Sequence, residues 1–236
     1  MPRIGQCAYC GTVALLTKDE IPPRCLFSRP LPMDILKIPS CRKCNNGASL
    51  DDEYFKTMLA LKDKAGSHTE AEAIRASVFR GLKLPRKQNF TRSILRQIRT
   101  VKLHSPSGLY LGKHLAYDVD LRRLDSVVAR ITKGLFWHHK SYRLPDGFEV
   151  VVFCQDGLAQ LDRRTLSELR DQIVAPVLRQ PVLEIGRGVM RYWYSFAEDR
   201  ENASAWILEF YGDVRFVAIT LPAKPRKTAG AAQRIL

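Results

Sequence analysis

The chain has 236 residues and a formal net charge of +14, so we expect a polyanionic partner, most often nucleic acid. Its 45% hydrophobic residues can form a core, which excludes wholesale disorder. No apolar run is long enough to cross a bilayer, and the first residues form no apolar signal segment. We therefore expect a cytoplasmic protein with no membrane partner; the sequence leaves its oligomeric state open.

The N-terminal segment holds two C-x2-C pairs separated by thirty residues. Each pair forms a tight knuckle, and two knuckles complete a tetrahedral shell of thiolates, so the spacing predicts one structural Zn²⁺. Its ligands would be Cys7, Cys10, Cys41 and Cys44. The other two cysteines, Cys25 and Cys154, have apolar neighbours, and we interpret them as buried apolar residues.

Beyond these knuckles, acids at positions 51–53 indicate the start of a helix over residues 50–64, with Ser49 as its cap. Apolar spacing predicts further helices over residues 70–80, 89–102, 118–139 and 165–175, the last stopped by Pro176. Strands are predicted over residues 148–154, 188–196, 204–211 and 214–221, with a hairpin turn at Gly212. Tyr192, Trp193, Tyr194 and Trp206 are interpreted as a packing face of that sheet.

These elements predict an α+β protein with three parts. A small zinc-stabilised module spans residues 1–64, a larger α+β domain of unknown role spans 65–222, and a basic disordered tail spans 223–236. Residues 80–102 hold eight Lys or Arg and no acid, which favours a phosphate-facing surface. The candidate nucleic-acid-binding residues are Arg86, Lys87, Arg92, Arg96, Arg99 and Lys102.

Between the knuckles the chain reads TKDEIPPRCLF, and the second knuckle reads PSCRKCNNGAS. The layout resembles the HNH endonucleases of the ββα-metal group over about residues 5–60. In that family an acidic residue and a His lie on a strand before a proline, and C-x2-C followed by Asn or His opens the metal-binding helix. The resemblance implies an N-terminal ββα-metal module and metal-dependent hydrolysis of phosphodiester bonds in DNA.

Carried over to this sequence, the resemblance implies that Asp19 and Asn45 bind a catalytic Mg²⁺ or Mn²⁺ ion. Glu20 takes the position of the family's general base, which is His, and no Asn precedes the second knuckle to orient it. Asp34 is the nearest polar residue at that middle position, and we assign it no role.

Three roles stay open for Glu20. Glu20 acts as the general base, or it adds a second carboxylate ligand to the metal ion. In the third case the site has lost cleavage and keeps only the binding of nucleic acid. A replacement base from elsewhere would first be sought at His138 and His139. The alternative function is therefore a catalytically inactive zinc protein that binds nucleic acid or a partner protein.

Overall fold

The computed structural model describes residues 3–62, 68–158 and 161–223, and it contains both helices and sheets. Its strands are β1 (Arg3–Gln6), β2 (Val13–Ile21), β3 (Leu36–Cys41), β4 (Ile98–His104), β5 (Tyr110–Tyr117), β6 (Phe148–Cys154), β7 (Leu183–Ile185), β8 (Met190–Phe196), β9 (Ser204–Phe210) and β10 (Val214–Pro222). Its helices are α1 (Arg42–Gly47), α2 (Ser49–Leu61), α3 (Thr69–Leu82), α4 (Gln88–Leu95), α5 (Leu121–Lys140), α6 (Gln155–Leu158), α7 (Arg163–Leu169) and α8 (Ala175–Leu178). The expected α+β class is confirmed.

Near the N-terminus, β1, β2 and β3 form a three-stranded antiparallel sheet with β2 in the centre. The chain turns directly from β3 into α1, because Cys41 ends the strand and precedes the first helical residue. Leu16 lies opposite Cys41 in the β2–β3 register. The second cysteine pair therefore lies at the junction of strand and helix.

The larger sheet has the order β6-β10-β9-β8-β7 and is antiparallel throughout. The strands predicted over residues 148–154, 188–196, 204–211 and 214–221 are confirmed within two residues at each end. Gly212, with φ of +74°, provides the left-handed conformation in the β9–β10 turn that other residues rarely adopt. The short strand β7 was not predicted.

Two hydrophobic clusters cover the faces of the larger sheet. On one face, Trp206 and Phe210 pack with α5 residues such as Val128, and this cluster also takes in Ile21 from β2. On the other face, Ile207 packs with Val177 of α8. The first cluster is continuous from the N-terminal sheet to the larger sheet, so apolar burial joins residues on both sides of position 64. The predicted domain boundaries stay a prediction.

The predicted helix over residues 89–102 is wrong in its second half. Helix α4 ends at Leu95, and β4 begins at Ile98 and pairs with β5 as a separate two-stranded sheet. Ile98, Thr100 and Val101 are β-branched and suit a strand, and their partner strand lies beyond the window that showed helical spacing.

Two smaller helix predictions also need correction. The helix predicted to stop before Pro176 continues through a π-helical segment, Arg170–Val174, into α8. Pro176 lies in the first turn after that segment, where a missing N–H is tolerated. Ser49 lies inside α2 and does not cap it, since Ala48 takes the cap position.

The predicted helices over residues 50–64, 70–80 and 118–139 correspond to α2, α3 and α5. Positions 63–67 and nearly all of the predicted tail lie outside the described residues. Within the described ranges, no helix combines the length and apolar character that a membrane crossing needs.

Candidate functional site

Four cysteines lie together at the N-terminal sheet. The Sγ atoms of Cys7, Cys10, Cys41 and Cys44 all lie within 4.8 Å of one another. Cys10 Sγ and Cys41 Sγ are 3.8 Å apart. A tetrahedral shell with Zn–S bonds of about 2.3 Å requires sulfur separations of about this size, whereas a disulfide needs about 2 Å. This cysteine cluster could therefore bind a metal ion such as zinc.

The first knuckle is shaped by its backbone. Gly11 N–H donates to Cys7 O at 2.9 Å, and Cys7 N–H donates to Thr12 O at 3.0 Å. Gly11 has φ of +72°, and a Cβ there would approach the Arg143 guanidinium. Hydrogen bonds with Thr12 lower the pKa of Cys10, whereas burial and the neighbouring thiols raise the pKa of Cys44, so the thiols of the cluster do not lose their protons equally readily.

Asn45 joins α1 to β2. Its Nδ2 donates to Thr17 Oγ1 at 2.9 Å and to the Lys18 carbonyl at 3.2 Å. The position of Asn45 next to Cys44 means that the same helical turn carries a cluster thiol and this amide. Among the described residues, Asn45 Oδ1 has no hydrogen-bond partner.

Asp19 is buried, and its charge is balanced by a residue that the sequence analysis did not identify. Arg130 Nη1 of α5 donates to Asp19 Oδ2 at 2.7 Å, and Tyr9 Oη donates to the same oxygen at 2.8 Å. Asp19 is 5% exposed. Burial, together with the Asp19 charge, raises the pKa of Tyr9 above its usual value, so Tyr9 stays a donor.

Arg130 also pairs with Asp52 of α2 through Nη2. Burial alone would lower the pKa of Arg130, but Asp52 and Asp19 hold it above its usual value. Burial raises the pKa of Asp52 to about 6, although the guanidinium opposes this shift. Two carboxylates thus share one guanidinium, and the group of three carries an excess of negative charge.

A cleft of about 430 Å³ opens beside this group. Its lining includes the acidic residues Asp19, Glu20, Asp52 and Glu53, the amide residue Asn45, and the basic residues Lys18, Arg24 and Lys56. The structure therefore brings Asp19, Glu20 and Asn45 to one cleft, next to the cysteine cluster. Glu20 has no hydrogen-bond or ion-pair partner in the described parts of the chain, whereas Glu53 pairs with Lys87.

The predicted nucleic-acid-binding residues are spread over α4, the turns on either side of it, and β4. Lys87 is paired with Glu53, and Arg99 pairs with Asp118 at 2.9 Å on an exposed surface. The remaining four are exposed and have no acidic partner among the described residues: Arg86, Arg92, Arg96 and Lys102.

Two other residues singled out in the sequence, His139 and Asp34, do not line the cleft. His139 packs on Tyr194 with ring centroids 4.1 Å apart, in the aromatic layer that includes Trp206. Asp34 Oδ2 accepts a hydrogen bond from Gly186 N–H at 2.8 Å, a contact between the N-terminal region and the larger sheet. Cys25, by contrast, lines the cleft, and its Sγ lies 3.6 Å from the Asp52 carbonyl oxygen. Burial raises the pKa of Cys25 to about 12, so it stays a thiol.

Comparison with known proteins gives no relative for this chain. No family model matches it, and no significant match was found among curated proteins or solved structures.

Proposed function

We propose that this protein is an HNH-like endonuclease that binds zinc through its cysteine cluster and hydrolyses phosphodiester bonds in DNA at the cleft. The observation that carries the proposal is the meeting of Asp19, Glu20 and Asn45 at one cleft beside four convergent thiols. These are the three positions that the HNH resemblance selects, and they come from β2 and from the helix that follows β3.

The residues that line the cleft offer the oxygen ligands that a hard divalent cation prefers. Asp19 Oδ1, Asn45 Oδ1 and the Glu20 carboxylate have no hydrogen-bond partner among the described residues, whereas Asp19 Oδ2 is engaged by Tyr9 and Arg130. Mg²⁺ needs only one or two protein carboxylates, because water and substrate phosphate complete its shell. Asp19 and Asn45 would hold the ion, which supplies a Lewis acid for the scissile phosphate.

The chain's own residues would do the remaining work. Arg130 and Tyr9 fix the Asp19 carboxylate, and Asn45 is fixed by its bonds to β2. Lys18 and Lys56 at the cleft would attract the phosphate backbone. Glu20, unpaired at the same cleft, would accept the proton of the attacking water.

A second candidate is binding without cleavage. It is favoured by the Arg130 guanidinium, which already neutralises much of the Asp19 charge that a metal ion would use. It is also favoured by Glu20, since a carboxylate in the base position is a weaker base than His. In this case the exposed basic residues outside the cleft, Arg86, Arg92, Arg96 and Lys102, would hold the DNA backbone. Zinc would serve only to maintain the fold.

Plasmid cleavage with Mg²⁺ or Mn²⁺ tests the proposal. We expect the wild type to nick the plasmid, and Asp19→Asn, Glu20→Gln and Asn45→Ala each to lower the rate at least about 100-fold. Glu72→Gln, an exposed change on α3, is the matched control and should keep the wild-type rate. A wild type that binds the plasmid without nicking it would reject the nuclease and leave the second candidate.

Metal analysis tests the zinc site separately. Purified protein should contain about one zinc per chain, as four convergent thiolates predict. Cys41→Ser should lose the zinc, and Cys154→Ser, a cysteine outside the cluster, should retain it. Wild-type protein without zinc would reject the metal centre whatever the plasmid assay gives.

A further inference from the structure

The ribbon formed by β4, β5 and their turn is a poorly supported structural element. Its two strands pair with each other and with no other strand among the described residues. Large apolar side chains are nevertheless exposed along it: Leu115 is 78% exposed, and Leu109, Tyr110 and Leu111 are each at least half exposed. A single two-stranded ribbon is marginally stable in water, and apolar side chains that stay exposed add nothing to its stability. Exposed apolar side chains grouped in this way are typical of an interaction surface.

The charges of the ribbon point to one kind of ligand. Residues 98–117 contain Arg99, Lys102, Lys113 and two histidines, and no acidic residue. Lys102 lies directly opposite Lys113 in the β4–β5 register, so the two side chains project from the same face. Like charges in such a pair destabilise a sheet, and no acidic side chain of the ribbon offsets the repulsion. An anion between them would relieve it.

The shape of the ribbon narrows the choice of anion. Strands of 7 and 8 residues give a length of about 23–26 Å at about 3.3 Å per residue. The DNA major groove is about 12 Å wide and admits a two-stranded ribbon. Just before the ribbon in the chain, Arg92 of α4 and Arg96, the residue after α4, are exposed and have no acidic partner among the described residues.

The geometry points to the ribbon as a DNA-binding arm that enters the groove of a duplex, with Lys102 and Lys113 on phosphates. This inference rests on the proposed function only in taking DNA as the ligand. The ribbon would bind DNA whether or not the cleft cleaves it. Gly112, with φ of +114°, and the register shift at Leu103 and His104 shape the ribbon near its tip, where the His104 and Tyr110 rings lie 5.5 Å apart.

The test measures binding of the full-length protein to a 25-base-pair duplex by fluorescence anisotropy over a series of salt concentrations. The plot of log K against log salt has a negative slope, and each lost phosphate contact reduces the magnitude of that slope by about 0.9. Lys102→Gln/Lys113→Gln should therefore reduce the magnitude of the slope by about 2. Arg163→Gln/Arg179→Gln removes the same charge from exposed positions near α7 and α8, and should leave the slope unchanged.

Three outcomes would reject the DNA-binding arm. The wild type and Lys102→Gln/Lys113→Gln could have equal slopes, or the variant could weaken binding to a single strand of the same length as much as binding to the duplex. The third outcome is that the wild type does not bind DNA. A Leu115→Ser variant tests another occupant, a second copy of the chain. If that variant converts a dimer to a monomer in sedimentation and leaves the DNA affinity unchanged, the ribbon is a dimer interface and the proposal fails.

The plasmid assay separates this inference from the proposed function. A wild type that never nicks the plasmid, combined with a reduced slope for Lys102→Gln/Lys113→Gln, supports the arm and rejects the nuclease. A wild type that nicks the plasmid, combined with an unchanged slope, rejects the arm and leaves the nuclease standing.

Discussion

The cleft and the larger sheet each contain a group of three charges, arranged in opposite ways. At the cleft, Arg130 lies between Asp19 and Asp52. On the sheet, Glu209 is fully buried between Arg191 and Arg215, which lie directly opposite it on β8 and β10. The first group leaves a negative excess beside an open cleft, and the second leaves a positive excess on guanidiniums that reach solvent.

The difference separates a candidate site from a structural contact. Glu209 receives both Arg191 and Arg215 as cross-strand neighbours, so its charge is satisfied within the sheet. At the cleft, burial keeps the pKa of Asp52 high even beside Arg130, so the negative charge there is incompletely satisfied. A cationic ligand would stabilise the cleft and would add repulsion at the sheet.

The largest expected effect comes from removing the shared guanidinium. Arg130→Met would leave Asp19 and Asp52 buried without their cation, and we expect a loss of about 3–5 kcal/mol in the free energy of unfolding. Urea titration measures it. The triple variant Asp19→Asn/Asp52→Asn/Arg130→Met removes all three charges and should recover most of the loss. A loss below about 1 kcal/mol for Arg130→Met would show that the ion pairs of Arg130 with Asp19 and Asp52 contribute no more than exposed salt bridges do.

Arg130 also marks the limit of what the sequence could predict. The cysteine pairs and the stripe of α5 are local patterns, and both were recognised from spacing alone. Arg130 lies 111 positions after Asp19, beside the apolar stripe of its helix, and only the packing of α5 against β2 brings the two together. The ribbon escaped prediction for a related reason, because the pairing of β4 with β5 outweighs the helical spacing of its first residues.

A smaller effect on stability tests how closely β2 packs against α5. A Cβ at Gly134 would overlap Ile21 Cδ1 and would lie 3.2 Å from Tyr9 Oη. Gly134→Ala should therefore lower the free energy of unfolding by about 1–3 kcal/mol, despite the better helix propensity of Ala. Gly81→Ala is the matched change in α3, where a Cβ meets only Lys87 Nζ at 3.4 Å. It should be neutral or stabilising, and equal losses for the two variants would contradict this packing.

On the sheet, a single arginine should matter less. Arg191→Met should cost below about 1 kcal/mol, because the Arg191 side chain is 40% exposed and Arg215 still pairs with Glu209. The double variant Arg191→Met/Arg215→Met leaves Glu209 buried and unpaired, so its loss should exceed the sum of the two single losses. Additive losses would mean that neither arginine compensates for the loss of the other, and the comparison with Arg130 would fail.

The smallest effect concerns pH, and its sign differs between the two regions. Burial, together with His138, lowers the pKa of His139 to about 4, so the unfolded chain binds more protons than the folded one between pH 4 and 6.5. Stability from His139 is therefore lost as the pH falls through that window. Burial raises the pKa of Asp52 to about 6, so its contribution has the opposite sign. Between about pH 4 and 6 the folded chain binds more protons than the unfolded one, and stability falls as the pH rises through that window.

Thermal unfolding of the wild type, His139→Gln and Asp52→Asn at pH 4.5 and 7 separates the two contributions. Relative to the wild type, His139→Gln should lose less of its Tm on going to the lower pH, and Asp52→Asn should lose more. Each difference should stay below the roughly 2–4 °C that 1 kcal/mol gives for a chain of this size, because His139 is partly exposed and Arg130 offsets the burial of Asp52. If both variants changed the pH dependence of Tm in the same direction, His139 and Asp52 would not contribute to stability with opposite signs, and this prediction would be wrong.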